Sequence, residues 1–268
     1  MPRGISRYDE AAFQGRLWTP QVDGKAVDLW FDIADLGRLS TDASGVTEWR
    51  DKSGNGRNLV QTTTTRQPAF SSTDAGGVGS IVFDGGDKLE NGTAGALNIT
   101  NSSFVFVIRW NTPSSVDLAI GLGPLISTSP NSSRAIYSNN GANLAFGAWA
   151  NDVTSGFGID AGGTFNIFTV IQSGQNISFY KNGSPDSTLP RTLASAPLAV
   201  STDRVNLGNS ESNLDGFSGA LSEVLVFYRA ESYSYLEKIE GYLAWKWNLA
   251  GNLGAGHRFV SRPPMIGD

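Results

Sequence analysis

The chain has no cysteine and a single histidine, His257, among 268 residues. The first absence excludes disulfides, thiolate metal sites and a cysteine nucleophile. The second leaves a Ser-His-Asp triad with one candidate base, and no Gly-x-Ser-x-Gly elbow accompanies it. In its Gly-rich context (GAGHRF) His257 reads as a surface or packing residue. P-loop, dinucleotide-binding and clustered His/Cys patterns are also missing. Charge is scarce: charged residues make up 17% of the chain, and the net charge is −5. No basic stripe is available to neutralise phosphates, so no nucleic-acid partner is expected. No apolar run approaches a membrane span, and the opening MPRGISRYDEAAFQGRLW lacks the apolar stretch of a signal peptide. Neither membrane insertion nor ordinary export is expected, and synthesis in a cytoplasm follows.

What the chain does have is glycine: 32 of them, with 11 prolines and 40% apolar residues. Many turns between short apolar runs predict an all-β fold. Val27 to Asp32, Val46 to Arg50, Ser80 to Phe83 and Val205 to Gly208 read as strands. Ser103 to Trp110 (SFVFVIRW) is apolar on both faces, as a central sandwich strand requires. Thr164 to Gln172 and Asn176 to Lys181 form a predicted hairpin, followed by the tight turn Lys181-Asn182-Gly183. Gly219 to Tyr228 is the last strand. It leads into one predicted helix, 232–249, in which Leu236, Ile239, Leu243 and Trp247 make one apolar stripe.

No linker divides the chain, so we expect an N-terminal arm, 1–25, and one domain, 26–268, closed by that helix. In the arm, Ser6-x-x-Asp9 is a capping-box pattern, and Pro20 ends any helix it starts. A segment this short needs something to dock against, either its own domain or a partner. Tyr8, Phe13, Leu17 and Trp18 are the candidate docking residues.

The turn Trp49-Arg50-Asp51-Lys52-Ser53-Gly54-Asn55-Gly56, the hairpin Phe179-Tyr180-Lys181-Asn182-Gly183 and the Gly219–Tyr228 strand occur in an order and spacing that resemble the laminin-G-like branch of concanavalin A-like lectin/glucanase domains. That resemblance covers residues 27–250. It implies a jelly-roll sandwich of two antiparallel sheets, with ligands at edge loops or on a concave face. The opening SRYDEAAFQGRLWTP and the closing EGYLAWKWNL and AGHRF are similar to lectin-like proteins encoded among phage structural genes. This second resemblance implies a non-enzymatic virion protein that decorates a head or tail, with capsid or tail proteins as partners. Symmetric particle sites would favour a homo-oligomer. The alternative is a carbohydrate-binding module or adhesin for host-surface glycans.

Glucanases of the superfamily carry an E-x-D-x-x-E pattern, which sets two carboxylates on one face roughly 5 Å apart. The nearest counterpart here, Ser222-Glu223-Val224-Leu225-Val226, has one carboxylate, so no catalytic residue is expected. Sugar binding has a better local candidate. Trp149, Asn151 and Asp152 in FGAWAND, with Phe157 close behind, combine aromatic faces with hydroxyl-binding groups. Trp149 packs in the core or offers its face to a sugar; sequence leaves both open. No cofactor is required. Asp84 and Asp87 are candidate ligands for a structural calcium, with Asp51 and Asn55 at a second acidic turn, although such residues also shape turns by themselves.

Overall fold

The computed structural model describes residues 16–77, 79–92, 99–111, 116–125, 131–160, 163–200, 204–210 and 212–268. The short apolar runs fold as strands. In chain order these are β1 (Leu29–Asp32), β2 (Leu39–Thr41), β3 (Val46–Trp49), β4 (Leu59–Val60), β5 (Ala69–Ser71) and β6 (Ser80–Asp84). Next come β7 (Leu89–Asn91), β8 (Ser102–Trp110), β9 (Val116–Leu122), β10 (Arg134–Asn139), β11 (Asn143–Gly147) and β12 (Asp152–Gly158). The chain continues through β13 (Asn166–Ser173), β14 (Asn176–Lys181), β15 (Ser184–Pro185), β16 (Arg191–Thr192), β17 (Val205–Leu207) and β18 (Ser218–Phe227). Helix α1 (Tyr233–Lys246) follows.

Two antiparallel sheets form the expected sandwich. In the first the order is β15-β14-β13-β8-β18-β6-β5, with β1 added on β18 and β16 on β14. In the second it is β12-β11-β10-β9-β17-β7-β4-β3-β2. Phe106, Phe168, Trp110 and Phe217 lie within one cluster of edge-on and stacked rings between them. Each such ring fully removed from water contributes about 2–3 kcal/mol. The two predicted turns after β13 and β14 are present. Ser173 pairs with Asn176 across Gly174-Gln175, and Lys181 pairs with Ser184 across Asn182-Gly183. Asn182 and Gly183 have φ of 50° and 76°, the left-handed pair that a type I′ turn needs.

Helix α1 lies on the outer face of the first sheet, against β13 and β8. Its stripe Leu236, Ile239, Leu243 and Trp247 is wholly buried, which explains why β8 and β18 are apolar on both faces. A bulge in β18 sets the alternation: Leu221 pairs with Ile108 and Glu223 with Val107, leaving Ser222 as the extra residue. Beyond it Glu223, Leu225 and Phe227 share the face toward α1, where the Phe227 and Tyr235 rings meet edge-on. The first sheet therefore has no open face under the helix.

Of the two docking surfaces open to the N-terminal segment, Leu17 and Trp18 use their own domain, in which they are buried. Leu17 bridges to Met265, and Trp18 N–H donates to the Pro264 carbonyl at 3.0 Å. The Trp18 ring stands edge-on to Tyr235 and Tyr242, with Lys238 Nζ 4.6 Å above it. The helix offers this ring a complete apolar and cationic enclosure, so none of it remains for a partner. Tyr8 and Phe13 lie outside the described residues.

Candidate functional site

Two places collect polar side chains. The first is Glu223, the one carboxylate in the glucanase-like position. Asp32, its paired residue on β1, supplies a second carboxylate from a neighbouring strand. Lys246 Nζ lies 2.6 Å from Asp32 Oδ1 and 2.6 Å from Glu223 Oε2, and Lys52 Nζ donates to Asp32 Oδ2 at 2.7 Å. Trp30 Nε1 donates to Glu223 Oε1 at 2.8 Å and Trp247 Nε1 to Oε2 at 2.7 Å. Burial, with the Asp32 charge beside it, raises the Glu223 pKa against the pull of Lys246. Burial also acts to raise Asp32, but Lys246 and Lys52 outweigh it and hold Asp32 below its ordinary value. Lys246 is raised, because the two carboxylates overcome its desolvation. Glu223 is fully enclosed and its lone pairs are taken by the protein. The cluster is a polar staple between α1, β1 and β18; Glu223 is closed to a substrate, whereas Asp32, Lys52 and Lys246 also line a recess of about 400 Å³.

The second place is a cleft of about 410 Å³ on the outer face of the second sheet. Its floor comes from the outward alternation of β9, β10 and β11. A bulge at Ala119 pairs Ile120 with Ile136 but Leu118 with Tyr137. Leu118, Ala135 and Leu125 form a small apolar cluster apart from the main core, with Tyr137 packed on it. Small residues make room for that ring. A Cβ on Gly147 would lie 2.9 Å from both Tyr137 Cε1 and Asp152 Oδ1, so only glycine lets the tyrosine lie across β11. Burial, followed by the Asp152 and Asp215 charges, raises the Tyr137 pKa and keeps its hydroxyl protonated.

Trp149 forms the rim. It sits in the β11–β12 turn with φ 59°, followed by Ala150 at 53°. Each left-handed non-glycine residue costs about 1–2 kcal/mol, and the surroundings must impose it. Asn151 does so. It is buried, donates through Nδ2 to the Ser195 carbonyl at 2.8 Å, and accepts from Ala194 N–H at 3.0 Å through Oδ1. The Trp149 carbonyl accepts from Asn131 N–H at 3.0 Å. The ring is thus held out, 37% exposed, above an apolar floor. The opposite rim is Asp215, whose loop is pinned to β9 by Leu118 N–H donating to its carbonyl at 2.9 Å. Behind the cleft, buried Arg134 ties its end loops together. It donates to the Ser133 and Leu198 carbonyls at 2.8 Å each and to Gln172 Oε1 at 3.2 Å, and burial pushes its pKa down to about 10.

Of the four residues expected to bind sugar, the structure brings Trp149 and Asp152 into this cleft. Asn151 supports the turn from behind, its amide consumed by backbone partners, and Phe157 packs on the main core. Sequence reading missed Tyr137 and Asp215, which join the cleft only through the pairing of β9 with β10 and the loop before β18.

The acidic turns direct their carboxylates to their own backbone. Asp84 Oδ1 accepts from Gly86 N–H at 2.7 Å, and Asp87 Oδ2 from Asp84 N–H at 3.0 Å. Burial, with Asp84 beside it, raises Asp87 to about 6. Asp51 spends its carboxylate on the N–H groups of Trp30, Ser53 and Arg57. Among the described residues no group of three or more His, Cys, Asp and Glu is placed to hold a metal. His257 is buried; its Nδ1 accepts from Phe259 N–H at 3.2 Å, and Nε2 lies 3.4 Å from Glu240 Oε2. It packs the C-terminal tail beneath α1.

Comparison with known proteins follows this geometry. A family profile described as "Concanavalin A-like lectin/glucanases superfamily" (Laminin_G_3) matches residues 91–234, more than half of the chain. The chain belongs to this family. The matched span includes the cleft from Val116 to Asp215 and also Glu223. Among solved structures, domain 4 of AbnA, an extracellular arabinanase from Geobacillus stearothermophilus in complex with arabinotriose, superposes with a TM-score of 0.54 at 14% identity. That match covers 78% of this chain and 95% of the domain. Trypanosoma rangeli sialidase in complex with sialic acid gives 0.54 at 9% identity over 80% of this chain, which spans only 32% of that enzyme. A carbohydrate-binding module of Ruminococcus gnavus sialidase, bound to α2,3-sialyllactose, gives 0.44 at 13% identity over 59% of this chain and 93% of the module. At these identities the likeness is one of fold. No curated protein matches the sequence.

Proposed function

We propose that this protein is a non-catalytic glycan-binding domain whose ligand lies in the cleft on the second sheet. One observation carries the reading. Trp149 is held half out of the protein in a strained turn, above an apolar floor and beside the Tyr137 hydroxyl and two carboxylates. An aromatic face against the apolar face of a sugar ring, with acceptors for its hydroxyls at the edge, is how such a ligand is held. The arabinanase domain of the same fold, solved with arabinotriose, supports the class of ligand. Asp152 is exposed and Asp215 half-buried. Glu223 is sealed from substrate. Docking on a phage particle is the less supported reading, because Leu17 and Trp18 are spent on the domain's own helix.

Affinity electrophoresis in gels containing plant and bacterial polysaccharides tests the proposal. The wild-type protein should be retarded by at least one polysaccharide, Trp149→Ala should run freely, and no reducing ends should be released. Retardation of Trp149→Ala equal to wild type would remove the cleft from the account.

A further inference from the structure

The cleft also specifies the charge of what it holds. This inference rests on the glycan-binding reading. Among the described residues its polar lining consists of Ser133, Tyr137, Asp152 and Asp215, with no lysine or arginine. The one arginine behind the cleft, Arg134, is fully buried and spends its guanidinium on carbonyl oxygens and Gln172. A sugar carboxylate is recognised by a cation, most often an arginine fork. Here it would meet two like charges and no compensating one.

The two carboxylates have a positive use. Asp152 takes the Ala148 N–H at 3.2 Å through Oδ1 and a hydrogen bond from the Tyr137 hydroxyl. No donor among the described residues meets the Asp215 side chain, whose backbone N–H is bound by Asn209 at 3.1 Å. Carboxylates left this way on a cleft rim accept from donors, and a sugar ring bearing free hydroxyls presents several in one plane. We propose that the cleft selects uncharged sugars and discriminates against acidic ones such as sialic and uronic acids.

A glycan array probed with the labelled full chain, at low and at physiological salt, tests this. Expected are hits confined to neutral glycans, with each sialylated or uronic-acid counterpart at least tenfold weaker. The Asp152→Asn/Asp215→Asn variant should narrow that gap, and salt should narrow it in the wild type. Acidic glycans bound as strongly as their neutral parents, with Trp149→Ala abolishing both, would overturn the selectivity and leave glycan binding standing. No hit on any glycan would overturn the proposed function and this inference with it.

Discussion

Replacing Lys246 by methionine should unfold the protein's most concentrated charge cluster without removing its volume. The ammonium lies 2.6 Å from Asp32 and from Glu223, 3.1 Å from the Tyr242 hydroxyl and 5.1 Å from the Trp247 ring centre. Methionine fills the space of the lysine stem, so packing changes little. What changes is that Glu223, wholly enclosed, is left without a cation while Asp32 keeps Lys52. Removing one partner of a buried pair costs about 3–5 kcal/mol, which is a large share of a domain's stability. Glu223→Gln in the same chain removes the orphaned charge, so the double variant should recover about 1–3 kcal/mol relative to additivity. Urea denaturation followed by tryptophan fluorescence reads both terms, since Trp30 and Trp247 donate to Glu223 and report on it directly.

The pH dependence has a fixed sign. Glu223 is raised, so the folded chain holds its proton to higher pH than the unfolded chain does, and stability from this group falls as pH rises through the folded value. Loss of Lys246 raises Glu223 further, so the variant's deficit should widen as pH rises above the ordinary carboxylate range. Asp32 is lowered, and its contribution is lost only as pH falls below the ordinary carboxylate range of about 3.9, outside that window. A Lys246→Met variant within about 0.5 kcal/mol of wild type, or strict additivity with Glu223→Gln, would refute the staple.

Asp87, raised to about 6 by burial, should destabilise the fold as pH rises through that value; Asp87→Asn should melt higher than wild type near neutral pH, by at most about 3 kcal/mol, and converge with it near about pH 4. Gly183→Ala forces a Cβ to 2.2 Å from His257 Cδ2 at φ 76°, and should cost about 1–3 kcal/mol in thermal melts, whereas Gly251→Ala, in open space, should be neutral. Asn151→Ala removes the clamp on the Trp149 turn, and should lower both stability, by about 1–3 kcal/mol, and glycan affinity while leaving the tryptophan in place.

The sandwich was legible because its strands are short apolar runs bounded by turn residues. Ser102–Trp110 and Ser218–Phe227 match the runs read from sequence to within one residue at each end, and the stripe of α1 is buried as its spacing requires. Legibility failed where meaning depends on distant partners. Glu223 stands alone on its strand, and Trp30, 193 positions away, determines with Lys246 what it does. Trp18 looked available because the face of α1 that encloses it, around Tyr235 and Tyr242, lies more than two hundred residues further along. The cleft needed Tyr137 and Asp215 beside Trp149, and the Ala119 bulge that turns Leu118 outward beside Tyr137 has no local sequence mark. Trp149 itself was legible, as the tryptophan nearest a polar, Gly-containing turn.

The most direct test of the cleft is a nuclear magnetic resonance titration of the seven indole N–H resonances, with the Trp149 signal assigned by its loss in Trp149→Ala. Adding a neutral oligosaccharide chosen from the array should shift the Trp149 resonance and leave those of Trp30 and Trp247, locked on Glu223, in place. Saturable shifts confined to other tryptophans would put the ligand elsewhere on the fold and contradict the account.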